Sequence, residues 1–342
     1  MLEKLPTELL ILVVEHAVEL FLVEDRETLI HLAQTSKHIY AVIAPLIYHS
    51  ISFCESGKGY QNFIESYVSA GPSLAERVFQ HTKELHAIID RPGYLPCILL
   101  KNVETMNVSS KVAYAITMIN NAIAKQRAAQ SRQSAIPPPP LRRLSIWNRD
   151  HSWIPKLSER ARHALTHFHA FTPDSSDPRF EVVPRQWILD SLELLPNLTH
   201  LGFELYAEIY DSALRKVAVY DSKPLKQSLL AALEYRRADG SQLQVVAVRI
   251  AGQFSFVWPK LLEMMQQVEN EDRTGRLRVW HDIRLANGES WRNMLVKDGY
   301  AKRSVWTEAR AVRDLRVPSL AADADEDDTP NQNSAFAGDL VV

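Results

Sequence analysis

A group of histidines is the part of this sequence whose residue types and spacing could do chemistry. His163, His167 and His169 lie close together, and imidazole nitrogens are common ligands for zinc and related metals. If His167 and His169 fall on a strand, they share one face, which could hold a metal or contact a partner. A metal site would need a further converging ligand, and the glutamate of a zinc-protease helix is absent. We therefore expect packed or solvated histidines and predict no metal site.

Other short motifs do not indicate an enzyme either. Gly57-Lys58-Gly59 lacks both the earlier glycine and the following Ser or Thr of a phosphate-binding loop. No Gly-x-Ser-x-Gly nucleophile elbow occurs, and neither Cys54 nor Cys97 has the sequence context of a catalytic cysteine. We predict no catalytic residue and no cofactor. An enzyme built on an α/β domain would instead need a pocket with perturbed titratable groups.

Composition limits the class of protein. The chain has 342 residues, of which 46% are hydrophobic, and this suits one small module and one domain of about 250 residues. The net charge of −2 offers no basic field for nucleic acid. Two distant cysteines fit a reducing compartment, so we expect a cytoplasmic or nuclear protein. Charged residues interrupt the apolar stretch 9–22, which is also too short to span a membrane.

A short phrase of the form apolar-x-x-apolar-x-apolar returns along the chain. It combines a turn with alternation along a strand, so that one side of each strand points inward. The copies begin at Leu85, Val103, Leu141, Leu165, Leu198, Leu243 and, in a weaker form, Leu277.

Helical apolar stripes lie between these copies. They run over residues 112–123, 187–195, 225–233 and 258–265. Alternating strands and helices at irregular spacing of about 20–45 residues predict an α/β domain over 51–318, built as an irregular leucine-rich-repeat-like solenoid. The alternative is an ordinary α/β domain with a parallel sheet. Residues 126–140, which end in four prolines, read as a surface insertion, and the acidic tail 319–342 reads as disordered.

The first fifty residues predict three short apolar helices. Pro6 suits a first helical turn, after which Leu9, Val13 and Ala17 share a face. Asp25 or Thr28 can cap a second helix, in which Leu29, Leu32 and Ala33 share a face, and Ser36 can cap a third helix over Ile39 to Pro45. The alternation of residues 47, 49, 51 and 53 then predicts a strand. Such a small module buries little surface by itself, so part of its apolar surface is expected to meet a partner.

These features resemble the F-box, the adaptor-binding module of cullin-type ubiquitin ligases. The resemblance covers residues 3–48: a leucine-proline pair, an acid two residues later, an apolar helix, and then Leu-x-x-Leu-Ala-x-x-Ser-Lys-x-Ile-Tyr. It implies a three-helix F-box over residues 1–50 that binds the Skp adaptor and, through it, a cullin. By position, the implied adaptor contacts are Leu5, Pro6, Glu8, Leu9 and Leu10, with Leu29 and Leu32 nearby or in the core.

Phrases such as Leu195-Pro196-Asn197-Leu198 also look like the irregular repeats of fungal F-box proteins. The resemblance implies a non-catalytic substrate receptor of an SCF-type (Skp–cullin–F-box) ligase, whose repeat domain binds a target protein, with no nucleic-acid or membrane partner. The stretch 17–27 is longer and more acidic than in that family. It motivates the alternative of an interaction scaffold without target ubiquitination.

Overall fold

In the part of the chain that the structure describes, the fold is a mixed α/β arrangement around one nine-stranded sheet. In this computed structural model the described residues are Pro6, Leu9, 11–14, His16, 26–54, 80–88, 102–109, 141–147, 154–157, 159–171, 185–207, 223–252, 258–282 and 304–315. The predicted insertion at 126–140, the helical stripe at 112–123 and the acidic tail at 319–342 lie outside these ranges.

The strands follow the repeated phrase closely. They are β1 (Ser50–Cys54), β2 (Glu84–Ile88), β3 (Thr105–Ser109), β4 (Arg143–Trp147), β5 (His167–Phe171), β6 (His200–Ala207), β7 (Val245–Gly252), β8 (Leu277–Asp282) and β9 (Arg310–Ala311). All seven copies of the phrase lie on β2 to β8, which confirms the strand predictions.

Helices precede the sheet and separate its later strands. They are α1 (Arg26–Gln34), α2 (Lys37–Ile47), α3 (Glu159–Ala164), α4 (Arg185–Leu194), α5 (Lys223–Glu234), α6 (Trp258–Asp272) and α7 (Val305–Glu308). Three predicted stripes are confirmed as α4, α5 and α6. No helix in the described ranges is long and apolar enough to cross a membrane.

Strand order in the sheet is the same as strand order in the sequence. Every neighbouring pair from β1 to β8 is parallel, and only β9 runs antiparallel, beside β8. Each described strand therefore lies next to the one before it. The order has no reversal of the kind that creates the ligand crevice of doubly wound sheets.

The main core lies between one face of this sheet and the helices. Alternate strand residues point toward this inner face, as Leu144 and Ile146 of β4 and Leu201 and Phe203 of β6 show by being almost fully buried. They belong to one cluster with the apolar faces of α4, α5 and α6. The first apolar residue of the phrase, such as Leu198, is buried in the same cluster. The first apolar residue of the phrase is thus a buried turn residue, and the other two are inward-facing strand residues.

Hydrogen bonds between consecutive turns fix the register of the strands. The carbonyl of the residue before a strand accepts two backbone N–H groups, from the residue before the next strand and from that strand's first residue. For example, the Arg142 carbonyl accepts from Thr166 at 2.9 Å and His167 at 3.0 Å. The same pattern recurs at the carbonyls of His49, Lys83, Glu104, Arg142, Thr166 and Thr199.

The helices before the sheet form a second, smaller core. Its buried members are Val14, Leu29, Ala33, Ile39, Ile43 and Ile47. Ser36 is the N-cap of α2, because its hydroxyl accepts the Ile39 N–H at 3.1 Å. Thr28 lies inside α1 and so does not cap it, while Ile47 ends α2, and β1 begins only at Ser50. The later strand start follows from the burial of Ile47 in the helical core, which extends α2 past Pro45. Asp25, the other predicted cap of α1, lies outside the described residues.

The segment 304–315 closes the last edge of the sheet. Its strand β9 pairs with β8, placing Arg310 opposite Val279. Beyond it, Val312 is fully buried in the main core on the inner face. Before it, Val305 is buried against Ala247 and Trp280 on the opposite, outer face. The segment therefore contacts both faces and covers an edge that would otherwise expose unpaired backbone groups.

The cap of α2 provides a test of the helical core. We expect Ser36→Ala to lower the free energy of opening of α2 by about 1 kcal/mol, because the first turn loses a side-chain acceptor. Hydrogen exchange of the Ile39 to Ile43 amides measures this loss. Ser36→Asp keeps an acceptor and should exchange like the wild type; equal exchange in all three proteins would contradict the assigned cap.

Candidate functional site: the outer sheet face and the N-terminal apolar patch

The predicted histidine group is split by the fold. His167 and His169 lie on β5 and point to the outer face, as the strand hypothesis required. His163 lies on α3, where its ring Nδ1 is 2.8 Å from the Glu159 carbonyl oxygen. The histidine that lies beside His167 is instead His200 of β6, which is its direct partner in the neighbouring strand. The two paired rings stack with centroids 3.9 Å apart and planes 14° apart.

Two threonines hold the stacked rings in place. The Thr199 hydroxyl donates to the Thr166 carbonyl at 3.0 Å, and its oxygen is 2.8 Å from Nδ1 of His200. Thr166 holds His167 in the same way, at 2.9 Å. Each threonine hydroxyl therefore links the ring that follows it to the backbone of the neighbouring turn.

Trp306 of α7 lies against these histidines. Its ring centroid is 5.3 Å from that of His167 and 5.7 Å from that of His200, with the planes nearly perpendicular. Gly202 makes this approach possible: a Cβ there would lie 3.0 Å from Trp306 Cη2 and 2.8 Å from His169 Cδ2. A glycine inside a strand often marks such a close approach. We call His167, His169, His200 and Gly202 the histidine cradle.

A buried ion network borders the cradle on the same face. Arg249 of β7 is 2% exposed and donates to Asp282 of β8 at 2.7 Å, while a Glu204 oxygen of β6 lies 3.5 Å from it. Its guanidinium carbon is 4.3 Å from the centroid of the Trp280 ring, a cation–π contact. Buried charges of this kind are tolerated only when paired, so the three charged side chains depend on one another.

Burial keeps the cradle histidines neutral. It lowers the pKa of His169 to about 3, and the positive charge of Arg249 adds to the effect. Burial also lowers the pKa of His167 to about 3, with contributions from His200 and Arg143. The pKa of His200 is lowered by burial and then by Arg143. The neutral rings can therefore pack against Trp306 without an unpaired charge.

This arrangement suits binding by packing more than metal chemistry. The stacked rings hold their in-plane lone pairs in nearly parallel planes, so these cannot converge on one ion at the zinc–nitrogen distance of about 2 Å. Across the described ranges, no set of three or more His, Cys, Asp or Glu side chains is arranged to hold a metal. The outer face offers an aromatic seat beside fixed charges.

A second surface lies on the helix that precedes α1. Leu9 and residues 11–14 are helical, and Val14 is buried in the smaller core. Four further apolar side chains on this helix are 36–60% exposed: Leu9, Ile11, Leu12 and Val13. We call these four residues the N-terminal apolar patch.

The predicted adaptor contacts fall into three groups. Pro6 and Leu9 are exposed, so both are available to a partner. Leu29 is fully buried and Leu32 packs against the same core. Of the two positions expected for them, near the adaptor contacts or in the core, both lie at the core. Leu5, Glu8 and Leu10 lie outside the described residues.

Some residues of both surfaces were missed by the sequence reasoning. Leu12 was missed, although it follows Leu9 at the i+3 position, on the helix face where Leu9 and Val13 were expected. His200 occupies the same position in its phrase as His167, so an alignment of the two Leu-Thr-His copies would have paired them. Nothing local marks Trp306, because its partners come from distant strands.

Removing the central cation of the ion network should be costly. We expect Arg249→Met to destabilise the protein by about 3–5 kcal/mol, because Glu204 and Asp282 would remain buried without their countercharge. Urea unfolding followed by circular dichroism measures the loss. The triple variant Glu204→Gln/Arg249→Met/Asp282→Asn removes all three charges and should recover part of it. A triple variant less stable than Arg249→Met would show that the carboxylates are stabilised independently of Arg249.

The cradle histidines should make stability fall in mild acid. Their folded pKa values lie below the unfolded value near 6.5, so the unfolded chain binds protons first as the pH drops below 6.5. Because of the buried His169, the free energy of unfolding should fall by about 1 kcal/mol for each pH unit of acidification in this range. Unfolding should be measured between pH 7.5 and 5, above the usual carboxyl pKa values. His169→Gln should show a weaker pH dependence, and an unchanged slope would contradict the assignment.

Comparisons with known proteins do not assign this chain to a family. No family model matches it, and no curated protein is significantly similar to it. The case for a function therefore depends on the residues and the geometry described above.

Proposed function

We propose that this protein is a substrate-receptor subunit of an SCF-type ubiquitin ligase. In this proposal residues 1–50 form an F-box that binds the Skp adaptor, and an irregular leucine-rich-repeat-like solenoid over 51–318 presents a target protein. The chain contributes no chemistry of its own. It brings a target lysine close to a conjugating enzyme held elsewhere in the complex, which raises the effective concentration of the reacting groups.

The N-terminal apolar patch carries the adaptor part of the proposal. Among the residues that the structure describes, every exposed large apolar side chain lies between Leu9 and Tyr40. Apolar side chains gathered on one small module favour a protein partner that removes them from water. The patch lies just after the Leu5-Pro6 pair, where the F-box resemblance implies adaptor contacts.

The order of the strands supports the solenoid part. A leucine-rich-repeat solenoid adds each parallel strand beside the previous one, and β1 to β8 follow that order. The paired acceptor pattern recurs at the six successive steps from β1–β2 to β6–β7, as stacked repeats require. A strand face in such a solenoid forms an extended surface for a partner. The outer face, with its polar and charged side chains, is the corresponding surface here.

Adaptor binding is tested by removing two exposed side chains of the patch. We expect Leu9→Ala/Leu12→Ala to weaken binding of a purified Skp adaptor by about 30- to 1000-fold, or about 2–4 kcal/mol, if the pair is a central anchor. Titration calorimetry of the full-length chain measures the affinity, and light-scattering chromatography gives the stoichiometry.

Two controls separate this result from misfolding. Gln34→Ala changes an exposed residue at the end of α1, outside the patch, and should bind like the wild type. The double variant should keep the wild-type melting curve, because Leu9 and Leu12 are about half exposed. Failure of the folded wild-type chain to bind the adaptor would overturn the proposal. Adaptor binding without ubiquitination of any target would favour the scaffold alternative.

A further inference from the structure

We propose that the histidine cradle is a binding site for a tryptophan-bearing segment of a partner protein, and that α7 occupies it as an internal ligand. The partner segment would present an aliphatic residue followed by tryptophan on one helical turn, as Val305 and Trp306 do. The proposal concerns the sheet and does not depend on adaptor binding.

The turn that carries Trp306 is complete in itself. The Ser304 N–H donates to the Thr307 hydroxyl at 2.9 Å, and the N–H groups of Thr307 and Glu308 both donate to the Ser304 carbonyl at 3.0 Å. The Ala309 N–H donates to the Val305 carbonyl at 3.2 Å. None of these four donors takes its acceptor from the sheet, and water can replace those acceptors when so short a turn frays after leaving it.

Side-chain packing is what places this turn on the outer face. Val305 is buried against Ala247 and Trp280, and Trp306 packs beside them while remaining partly exposed. A buried aliphatic side chain followed by a partly exposed tryptophan is the arrangement of an interface anchor, since tryptophan is among the residues most enriched in binding hot spots.

The seat of Trp306 is preformed by groups that do not belong to its own segment. The two stacked histidines are fixed by threonine hydroxyls of β5 and β6, and Gly202 leaves the space that a Cβ would fill. None of these hydrogen bonds involves Trp306. A preorganised seat of this kind lowers the cost of binding an aromatic side chain from another molecule.

The internal turn is held near the cradle by its own chain. Strand β9 pairs with β8, and Val312 is anchored in the core, so α7 has a high effective concentration at the site. A partner segment must therefore compete with it. Competition of this kind would admit only a segment that fits the cradle at least as well as Val305 and Trp306.

The proposal is tested by emptying the cradle and supplying the turn separately. The receptor is the full chain with Trp306→Ala, and the probe is a synthetic peptide of residues 301–309 with its wild-type tryptophan. Saturation-transfer NMR detects weak binding of such a short peptide. We expect saturable binding to the variant, and binding at least tenfold weaker to the wild-type chain, where Trp306 competes.

Two matched controls locate the contact. The same peptide with alanine in place of tryptophan should not bind. Adding Gly202→Ala to the Trp306→Ala receptor should abolish binding, because the new methyl group takes the space of the ring. No saturable binding to a Trp306→Ala chain that keeps the wild-type circular dichroism would overturn the proposal, as would equal binding of the alanine peptide.

Hydrogen exchange of the wild-type chain tests the same proposal without a variant. If α7 is an exchangeable ligand, the amides of Thr307, Glu308 and Ala309 should exchange through local opening, at least tenfold faster than those of Val248 and Ile250 in β7. Exchange of both groups at one common rate would show that α7 opens only when the protein unfolds, and the proposal would fail.

Discussion

The fold depends on a repeated backbone contact at the turns that lead into the strands. At six successive positions one carbonyl accepts two N–H groups from the start of the next strand. Because this contact is made by the backbone, it tolerates many side chains at the same place, from Lys83 to Thr199. It sets the register of the strand pairs from β1–β2 to β6–β7, and with it the face to which their side chains point.

Features that depend on residues close together in the sequence could be predicted, and features that depend on distant residues could not. The strands were predictable because Leu198, Leu201 and Phe203 occupy one turn and two strand positions of a single local pattern. The cap at Ser36 was predictable for the same reason. The stacking of His167 on His200 requires the register, and the seat of Trp306 requires the chain to return across the sheet, so neither is contained in a local window.

The two candidate surfaces differ in what a partner would gain from them. The N-terminal apolar patch offers hydrophobic side chains such as Leu12 on a small module, so binding there removes apolar surface from water. The outer face combines an aromatic seat with the buried charges around Arg249. Desolvated charges penalise a poorly matched partner, so this face is suited to discriminating between partners. The N-terminal apolar patch would therefore contribute mainly to affinity, and the outer face mainly to selectivity.

The sequential order of the strands has a consequence for biosynthesis. Since each strand pairs with the one made just before it, β1 to β8 can assemble as the chain leaves the ribosome, and the sheet grows at one edge. That edge stays open until β9 arrives and pairs with β8. A chain interrupted before residue 304 would keep a long parallel edge of unpaired backbone groups, which is a template for intermolecular pairing. A short late segment of the chain thus protects the growing edge of the sheet against aggregation.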